Sequence, residues 1–179
     1  MNLGLVLAEE PVADTVTMQV GKHLRLPIHL DGYRLPDSEV LELYKKRVGR
    51  EDRVHFFRHF GSEETDALLA TIRFMVAACG CRVVMLDNYQ HLVTGRTKDR
   101  DVEALDYLAN RLESLVKELD FALISISHEN DNEQARGSRN ITKEADVWIN
   151  VKRDIKNANE YTRNIQHITF NKNRQGQKT

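Results

Sequence analysis

Residues 81–93, CRVVMLDNYQHLV, show most directly how this chain folds. Their apolar run, 83–86, is typical of a buried β-strand, and it ends on an acid, Asp87. Helical stripes of apolar residues flank it, which predicts a strand between two helices. A carboxylate at the tip of such a strand can hold Mg²⁺ beside nucleotide phosphates. Asp also begins many ordinary turns, so this position alone leaves both interpretations open.

Two other apolar runs end in the same way. Residues 3–10, LGLVLAEE, predict a first strand that leads into Glu9, and residues 121–127, FALISIS, predict a buried strand followed by His128. Singly, Glu9 is also typical of a solvated helix start, and His128 of the start of a loop. Because the carboxyl ends of parallel strands meet at one edge of a sheet, we expect Glu9, Asp87 and His128 to converge there.

The segments between these runs have helical periodicity. Helices are predicted over residues 12–24, over 39–48 with Asp37 or Ser38 as the cap, and from a cap at Ser62 to a stop at Gly80. The buried face of the last consists of Leu68, Leu69, Ile72, Met75 and Val76. A longer helix ends near residue 119, with an apolar stripe of Val102, Leu105, Leu108, Leu112, Leu115, Val116 and Leu119. Strands at 145–154 and 165–173 complete an α/β fold with a parallel, doubly wound sheet.

Composition sets broader limits. With 179 residues, 41% of them hydrophobic and a net charge of −1, the chain suits one soluble domain without a global attraction to nucleic acid. No segment approaches the ~20 apolar residues of a membrane span, so we expect no membrane partner. The spacing of Cys79 and Cys81 suits neither a disulfide framework nor a metal knuckle, which favours reduced thiols and a cytoplasmic location.

Two basic residues stand near the end of the chain, in NKNR. Lys172 and Arg174 are two positions apart in an extended segment and are expected on the same side of it. They could reach a phosphate on a neighbouring subunit, as an arginine finger does. Alternatively, they protect an edge strand from aggregation.

The order of these features resembles the RecA-like motor domain of hexameric replicative DNA helicases. The likeness is greater to the phage-type primase-helicase and Twinkle branch than to the bacterial DnaB type. The matching stretches include LGLVLAEEPVADTV, LVKELDFALISISHEN, ARGSRNITKEADVWINVKRD and ITFNKNRQG. The run RGS, EADV and KRD is the most specific part. The resemblance implies a RecA-like, mostly parallel sheet flanked by helices.

The resemblance also implies roles for single residues. Glu9 matches the catalytic glutamate that activates water, Asp87 the acid that helps hold Mg²⁺, and His128 the residue that senses the γ-phosphate. Arg153 matches an arginine near the nucleotide base. Lys172 and Arg174 match the pair inserted into the adjacent subunit's ATP site. The implied cofactors are ATP, or another NTP, and Mg²⁺.

DNA contacts are implied for two loops, 94–100 and 129–140, which would face the central channel of a ring. Their basic residues, which could contact the phosphates of single-stranded DNA, are Arg96, Lys98, Arg100 and Arg136. The implied partners are single-stranded DNA and further copies of the chain in a ring, expected to be a hexamer. Two acids, Glu129 and Glu133, stand in a loop that is usually more basic in this family. Nearby, Arg139 stands where a small residue is expected, and Lys143 stands where a polar amide is common.

The main departure is that GxxxxGK[ST], the phosphate-binding loop, does not occur in the sequence. We therefore expect residues 1–179 to form a partial RecA-like ATPase domain without its phosphate-loop strand and helix. Because that strand lies inside the sheet in this fold, its neighbours are expected to expose hydrogen-bonding edges. A separate segment that carries the loop is an expected partner.

Three functions remain open from the sequence. The leading one is the ATPase part of a replicative helicase that translocates on single-stranded DNA and unwinds duplex, inactive when this chain is alone. The alternative is a non-enzymatic RecA-fold subunit or regulator that complements a partner bearing the phosphate loop. A recombinase-type or clock-type ATPase is third, and the RGS, EADV and KRD run favours the helicase over it.

Overall fold

The structure, a computed structural model, describes residues 1–49, 53–58, 65–92, 98–128, 140–174 and 176. The strands are β1 (Asn2–Leu7), β2 (Val54–Arg58), β3 (Cys81–Asp87), β4 (Ala122–Ser125), β5 (Val147–Arg153) and β6 (Gln166–Asn173). The α-helices are α1 (Val12–Leu24), α2 (Asp37–Leu43), α3 (Thr65–Ala77), α4 (Lys98–Leu119), α5 (Asn140–Glu144) and α6 (Glu160–Arg163). A π-helical stretch, Tyr44–Val48, continues α2, and a short 3-10 helix, Tyr89–Leu92, follows β3.

The first four strands form one parallel sheet in the order β2-β1-β3-β4. Leu7 pairs with Asp87, and Leu86 pairs with Ser125, so β1, β3 and β4 end near the same level. The predicted parallel α/β arrangement is confirmed for these strands. Their shared carboxyl edge is the place where the predicted acids follow.

The last two strands differ from the prediction. β5 and β6 pair antiparallel in a separate two-stranded sheet, instead of extending the parallel one. The connection over 154–165 contains only the four-residue helix α6, whereas a parallel crossover usually contains a full α-helix that crosses the face of the sheet. β4 also differs, because it is an edge strand of its sheet among the described residues and Ile124 is 51% exposed. The expected buried strand at 121–127 is buried only at Phe121.

Helices cover both faces of the parallel sheet. Alternate residues of β2 show this, because Phe56 packs with the cluster under α1 and α2, and Phe57 packs with the cluster under α3 and α4. The predicted buried face of α3 is confirmed, and Gly80 ends that helical segment with a φ of 66°. The stripe of α4 is buried at Leu105, Leu108, Leu112 and Leu115 and partly buried at Val116 and Leu119. Val102, one turn before Leu105, is 41% exposed.

Two helix caps were predicted from short polar residues. The helix α2 begins at Asp37 after Pro36, without a capping hydrogen bond from a side chain, so the predicted cap at Asp37 or Ser38 is wrong. The proline ring fixes a φ that suits this entry to the helix. Ser62 lies outside the described residues. Within the described part of the chain, no helix is both long and apolar enough to cross a bilayer.

Candidate active site

The carboxyl edge of the parallel sheet brings together the three residues that follow its strands. The backbone N–H of Ala8 donates to the carbonyl of Asp87 at 2.7 Å, which fixes the chain just before Glu9 against the end of β3. The N–H of Ile126 donates to the carbonyl of Leu86 at 2.9 Å and carries the chain from β4 toward His128 on the same edge. The structure therefore places Glu9, Asp87 and His128 in one cluster.

The Glu9 carboxylate is at the centre of this cluster. Its Oε1 accepts a hydrogen bond from Asn88 Nδ2 at 2.6 Å and lies 2.8 Å from His91 Nε2. His128 Nε2 is 3.6 Å from the same oxygen. The Glu9 side chain is 37% exposed, so it is held by neighbours and still reaches solvent. A carboxylate held in this way can orient a water molecule and accept its proton.

Asp87 is half-buried beside this group. Burial raises the pKa of the Asp87 carboxyl above its ordinary value, the negative charge of Glu9 raises it further, and His128 opposes the rise. Two carboxylates this close repel each other, and a cation beside Asp87 would relieve that repulsion. The site therefore favours positive charge at the tip of β3.

The Asp87 carboxylate is the group at this edge that could take part in holding Mg²⁺. Among the described residues, no group of three or more His, Cys, Asp or Glu side chains is arranged as a metal site. Mg²⁺ commonly binds through one or two carboxylates while water and substrate phosphates complete its shell. Asp87 suits that role, because it offers a single half-buried carboxylate.

Two members of the cluster were missed by the sequence analysis. Asn88 is completely buried, and its Oδ1 accepts a hydrogen bond from the backbone N–H of His91 at 3.1 Å while its Nδ2 donates to Glu9. The peptide bond between Asp87 and Asn88 is cis. The sequence offered one signal for Asn88, a polar residue directly after an acid-ended strand. It offered none for His91.

Comparison with known proteins shows what the chain is similar to. No family model matches the chain. The DNA helicase/primase of Enterobacteria phage T3 is 27% identical over 139 residues, which are 75% of this chain and 24% of the T3 protein. A solved ATPase domain superposes on the chain with a TM-score of 0.73 at 17% identity, over 98% of this chain and 68% of that one.

The fold is RecA-like, and the chain is similar to the motor domain of replicative DNA helicases.

Further structures support the fold of this helicase-like chain. A DnaB-like replicative helicase, solved in a study of its interactions with primase, gives a TM-score of 0.70 at 17% identity, over 98% of this chain and 47% of that one. A KaiC-like protein of Pyrococcus horikoshii gives a TM-score of 0.64 at 15% identity, over 97% of this chain and 66% of that one. The helicase-like chain thus spans about a quarter of the T3 protein and about two thirds of the solved ATPase domain.

The predicted finger residues lie at the other end of the helicase-like chain. Lys172 Nζ donates to the carbonyl of Thr142 at 3.0 Å and also to that of Lys143. Arg174 donates to the carbonyl of Lys143 at 2.7 Å and pairs with Asp146 at 3.3 Å. Both side chains therefore reach the end of α5, on one side of β6 as strand alternation predicts. The structure does not bring them to the Glu9 cluster within one chain.

The remaining predicted residues lie elsewhere. Arg153 lines a cavity of about 200 Å³ together with Ile155, Arg163 and Asn164. Of the predicted DNA-binding residues, Arg96 and Arg136 fall outside the described residues. Lys98 and Arg100 belong to the first turn of α4 rather than to a loop over 94–100, because that helix begins at Lys98.

Proposed function

We propose that the chain is part of an ATP-dependent replicative DNA helicase motor, in which ATP hydrolysis drives translocation on single-stranded DNA and unwinding of the duplex. The observation that carries this proposal is the convergence of Glu9, Asp87 and His128 at the carboxyl edge of a parallel sheet. Similarity to the T3 helicase/primase supports a helicase over other RecA-like ATPases. The proposed location is the cytoplasm of a bacterial or phage-infected cell. The spacing of the cysteines supports a cytoplasmic location, because it favours reduced thiols.

Each residue of the cluster has a distinct task in this proposal. When bound, Mg²⁺ and ATP supply charge neutralisation and the phosphoryl group that is transferred to water. Asp87 would hold the cation, and Glu9 would orient the attacking water and accept its proton. His128 donates a hydrogen bond toward the terminal phosphate. Arg153 would lie beside the base of the nucleotide.

The assembled motor is proposed to be a ring, with six copies as the expected number. Lys172 and Arg174 would leave the carbonyls of α5 and enter a neighbour's nucleotide site. The segments around Arg96, Lys98, Arg100 and Arg136 would contact DNA phosphates, which makes DNA binding sensitive to salt. We propose that residues 1–179 act as a partial ATPase domain, because the loop that grips phosphates is not in this sequence.

An uncovered apolar surface supports a further segment in the motor. On β5 and β6, Ile149 pairs with Phe170 and Val151 pairs with Ile168, and all four are between 47% and 63% exposed. Ile124 on the edge strand β4 is exposed as well. Exposed apolar patches of this kind mark interaction sites. We infer that a strand and helix bearing the phosphate loop pack against this surface.

The same surface also favours the second candidate function. In it, the chain is a non-enzymatic RecA-fold subunit that lends Arg174 and its DNA-binding segments to a partner with its own complete catalytic site. Glu9 and Asp87 would then be dispensable for hydrolysis, since the partner would supply their counterparts.

One reconstitution experiment tests both candidates. The chain is mixed in parallel with two partners: a fragment of a phage helicase that carries only the phosphate loop with its strand and helix, and a phage helicase motor domain that keeps its own catalytic acids but lacks its arginine finger. ATP hydrolysis stimulated by single-stranded DNA is measured in both mixtures. Glu9→Gln is expected to lower kcat at least about 100-fold, because a general base is lost. Glu10→Gln is the matched control. The Glu10 carboxylate is next to Glu9 in the sequence, is exposed, and contacts only Thr15 among the described residues.

Variants at the two other positions separate the candidates. Arg174→Ala is expected to lower kcat by about 10³-fold or more if it is an arginine finger. Arg82→Ala is its control, because Arg82 pairs with Asp120 at the opposite end of the sheet. In the mixture with the motor domain that keeps its own catalytic acids, loss with Arg174→Ala but full activity with Glu9→Gln and Asp87→Asn would favour the non-enzymatic subunit. If hydrolysis is restored and none of the three changes, Arg174→Ala, Glu9→Gln and Asp87→Asn, lowers its rate, both candidates are refuted.

A further inference from the structure

The two oxygens of Glu9 are held unequally. Oε1 lies within 2.6 Å of Asn88 Nδ2 and 2.8 Å of His91 Nε2, and His128 Nε2 approaches the same atom at 3.6 Å. For Oε2 the structure gives no hydrogen bond to any of the residues that it describes. One oxygen is therefore anchored by nitrogen donors, and the other is left to face a water molecule.

His91 is itself held firmly. Its backbone N–H donates to Asn88 Oδ1 at 3.1 Å, and Asn88 is completely buried. The next residue, Leu92, is 1% exposed and belongs to the main hydrophobic core. The short 3-10 helix therefore carries His91 on a rigid base, although the imidazole ring itself is about half exposed.

We propose that His91 is a positioning residue for the catalytic carboxylate: its Nε2–H donates to Glu9 Oε1 and, with Asn88, aims the free Oε2 at the attacking water. The proposal rests on the proposed function of Glu9 as the general base. It also divides the work of the two histidines. His128, at the longer distance, can turn toward a phosphate while His91 and Asn88 keep Glu9 in place.

The consequence for catalysis is a loss of orientation rather than of affinity. His91 does not touch the proposed cation ligand Asp87 in the contacts that the structure gives, so nucleotide binding should be little changed when it is removed. A carboxylate that swings away from its reactive position costs rate, and misplacement by about 1 Å can cost about 100-fold.

The first test uses the 179-residue chain alone at a fixed pH. The side-chain ¹⁵N resonances of the histidines are recorded for wild type, Glu9→Gln and Glu10→Gln. The Nε2 resonance of His91 is expected to move strongly with Glu9→Gln and to stay unchanged with Glu10→Gln. If the Nε2 resonance of His91 does not move with Glu9→Gln, the proposal is overturned, whether or not the motor can be reconstituted.

The second test uses the reconstituted motor. His91→Ala is expected to lower kcat about 10- to 100-fold with KM for ATP nearly unchanged. His91→Gln is expected to recover most of the rate, because its amide nitrogen can donate to the same oxygen. His23→Ala, a change at an exposed histidine of α1, should have no effect. Equal loss with His91→Ala and His91→Gln, or no loss with either, would contradict positioning.

The two tests also separate this proposal from the function beneath it. If the Nε2 resonance of His91 responds to Glu9→Gln while Glu9→Gln hydrolyses ATP at the normal rate, the contact exists and the general-base role of Glu9 is wrong. If Glu9→Gln is inactive while His91→Ala is fully active, the general base stands and the positioning role of His91 fails.

Discussion

Asn88 shows how much one side-chain amide can determine at the scale of a residue. It is completely buried, donates to Glu9 and accepts from the backbone of His91. A buried amide with both its donor and its acceptor engaged fixes the orientation of its partners, and a change that reverses one of these bonds is costly.

Asn88→Asp tests this directly. The new carboxylate has the same shape but cannot donate to Glu9, and it adds a negative charge beside two others. We expect the free energy of unfolding at neutral pH to fall by about 1–3 kcal/mol, measured by urea denaturation. Asn110→Asp, on the exposed face of α4, is the control with the same chemical change. An equal effect at both positions would show that the Asn88 bonds do not matter.

Gly21 is a second position where a single atom decides stability. An added Cβ would lie 2.8 Å from the carbonyl oxygen of Leu26 and 3.2 Å from a side-chain carbon of Ile28. Alanine normally stabilises a helix relative to glycine by about 1 kcal/mol. Here the collision with backbone reverses the sign.

We therefore expect Gly21→Ala to lower the free energy of unfolding by about 1–3 kcal/mol, as overpacked sites do. Lys22→Ala, at the exposed neighbouring position, should be close to neutral in the same denaturation experiment. Stabilisation by Gly21→Ala would mean that the turn after α1 adjusts more readily than its backbone contacts indicate.

At the scale of elements, α3 and α4 are joined across their surface by a paired bridge. Arg73 donates through both terminal nitrogens to the two oxygens of Glu118. This hydrogen bond lowers the pKa of Glu118 and raises the pKa of Arg73. A carboxyl whose pKa is depressed by folding stabilises the native state above its unfolded pKa, and this contribution disappears as pH falls through the lowered value.

Glu118→Gln should accordingly reduce stability slightly at neutral pH, and this effect should disappear once the pH is well below the lowered pKa of Glu118. The effect is small because both side chains are about half exposed. Denaturation of wild type, both single variants and the double variant with Arg73→Leu would measure the coupling. A coupling that persists in acid would contradict an ionic origin.

Lys172 and Arg174 belong to the same scale, because they join β6 to α5. Their bonds to the last carbonyls of α5 satisfy acceptors that a helix end leaves open. Alternation along the strand correctly predicted that they share a side. A finger that reaches a neighbour would have to release these carbonyls, so the arrangement within one chain and the proposed arrangement in a ring are alternatives.

At the scale of the whole molecule, the described strands carry several large apolar side chains at the surface. The antiparallel pair carries Ile149, Val151, Ile168 and Phe170 at the surface, and β4 adds Ile124. Surface of this kind drives association unless another segment covers it.

We expect the chain alone to self-associate and to bind a hydrophobic dye, as measured by sedimentation velocity and fluorescence. The double change Ile149→Thr and Phe170→Thr should reduce both signals, and the phosphate-loop fragment should suppress them in wild type. Tyr33→Thr removes a comparably exposed aromatic outside the antiparallel pair and is the control. A monomer that binds no dye would contradict the inferred partner.

The sequence by itself determined the parallel sheet and the meeting of Glu9, Asp87 and His128 at its edge. Apolar runs separated by helical stripes specify parallel strands locally, and parallel strands necessarily end together. Only the tertiary structure decided that β5 and β6 pair antiparallel and that β4 lies exposed, because an apolar strand has the same pattern whether or not a neighbour covers it. The contacts of Asn88 and His91 with Glu9 also required it, since they join side chains from separate strands and leave no periodic signal.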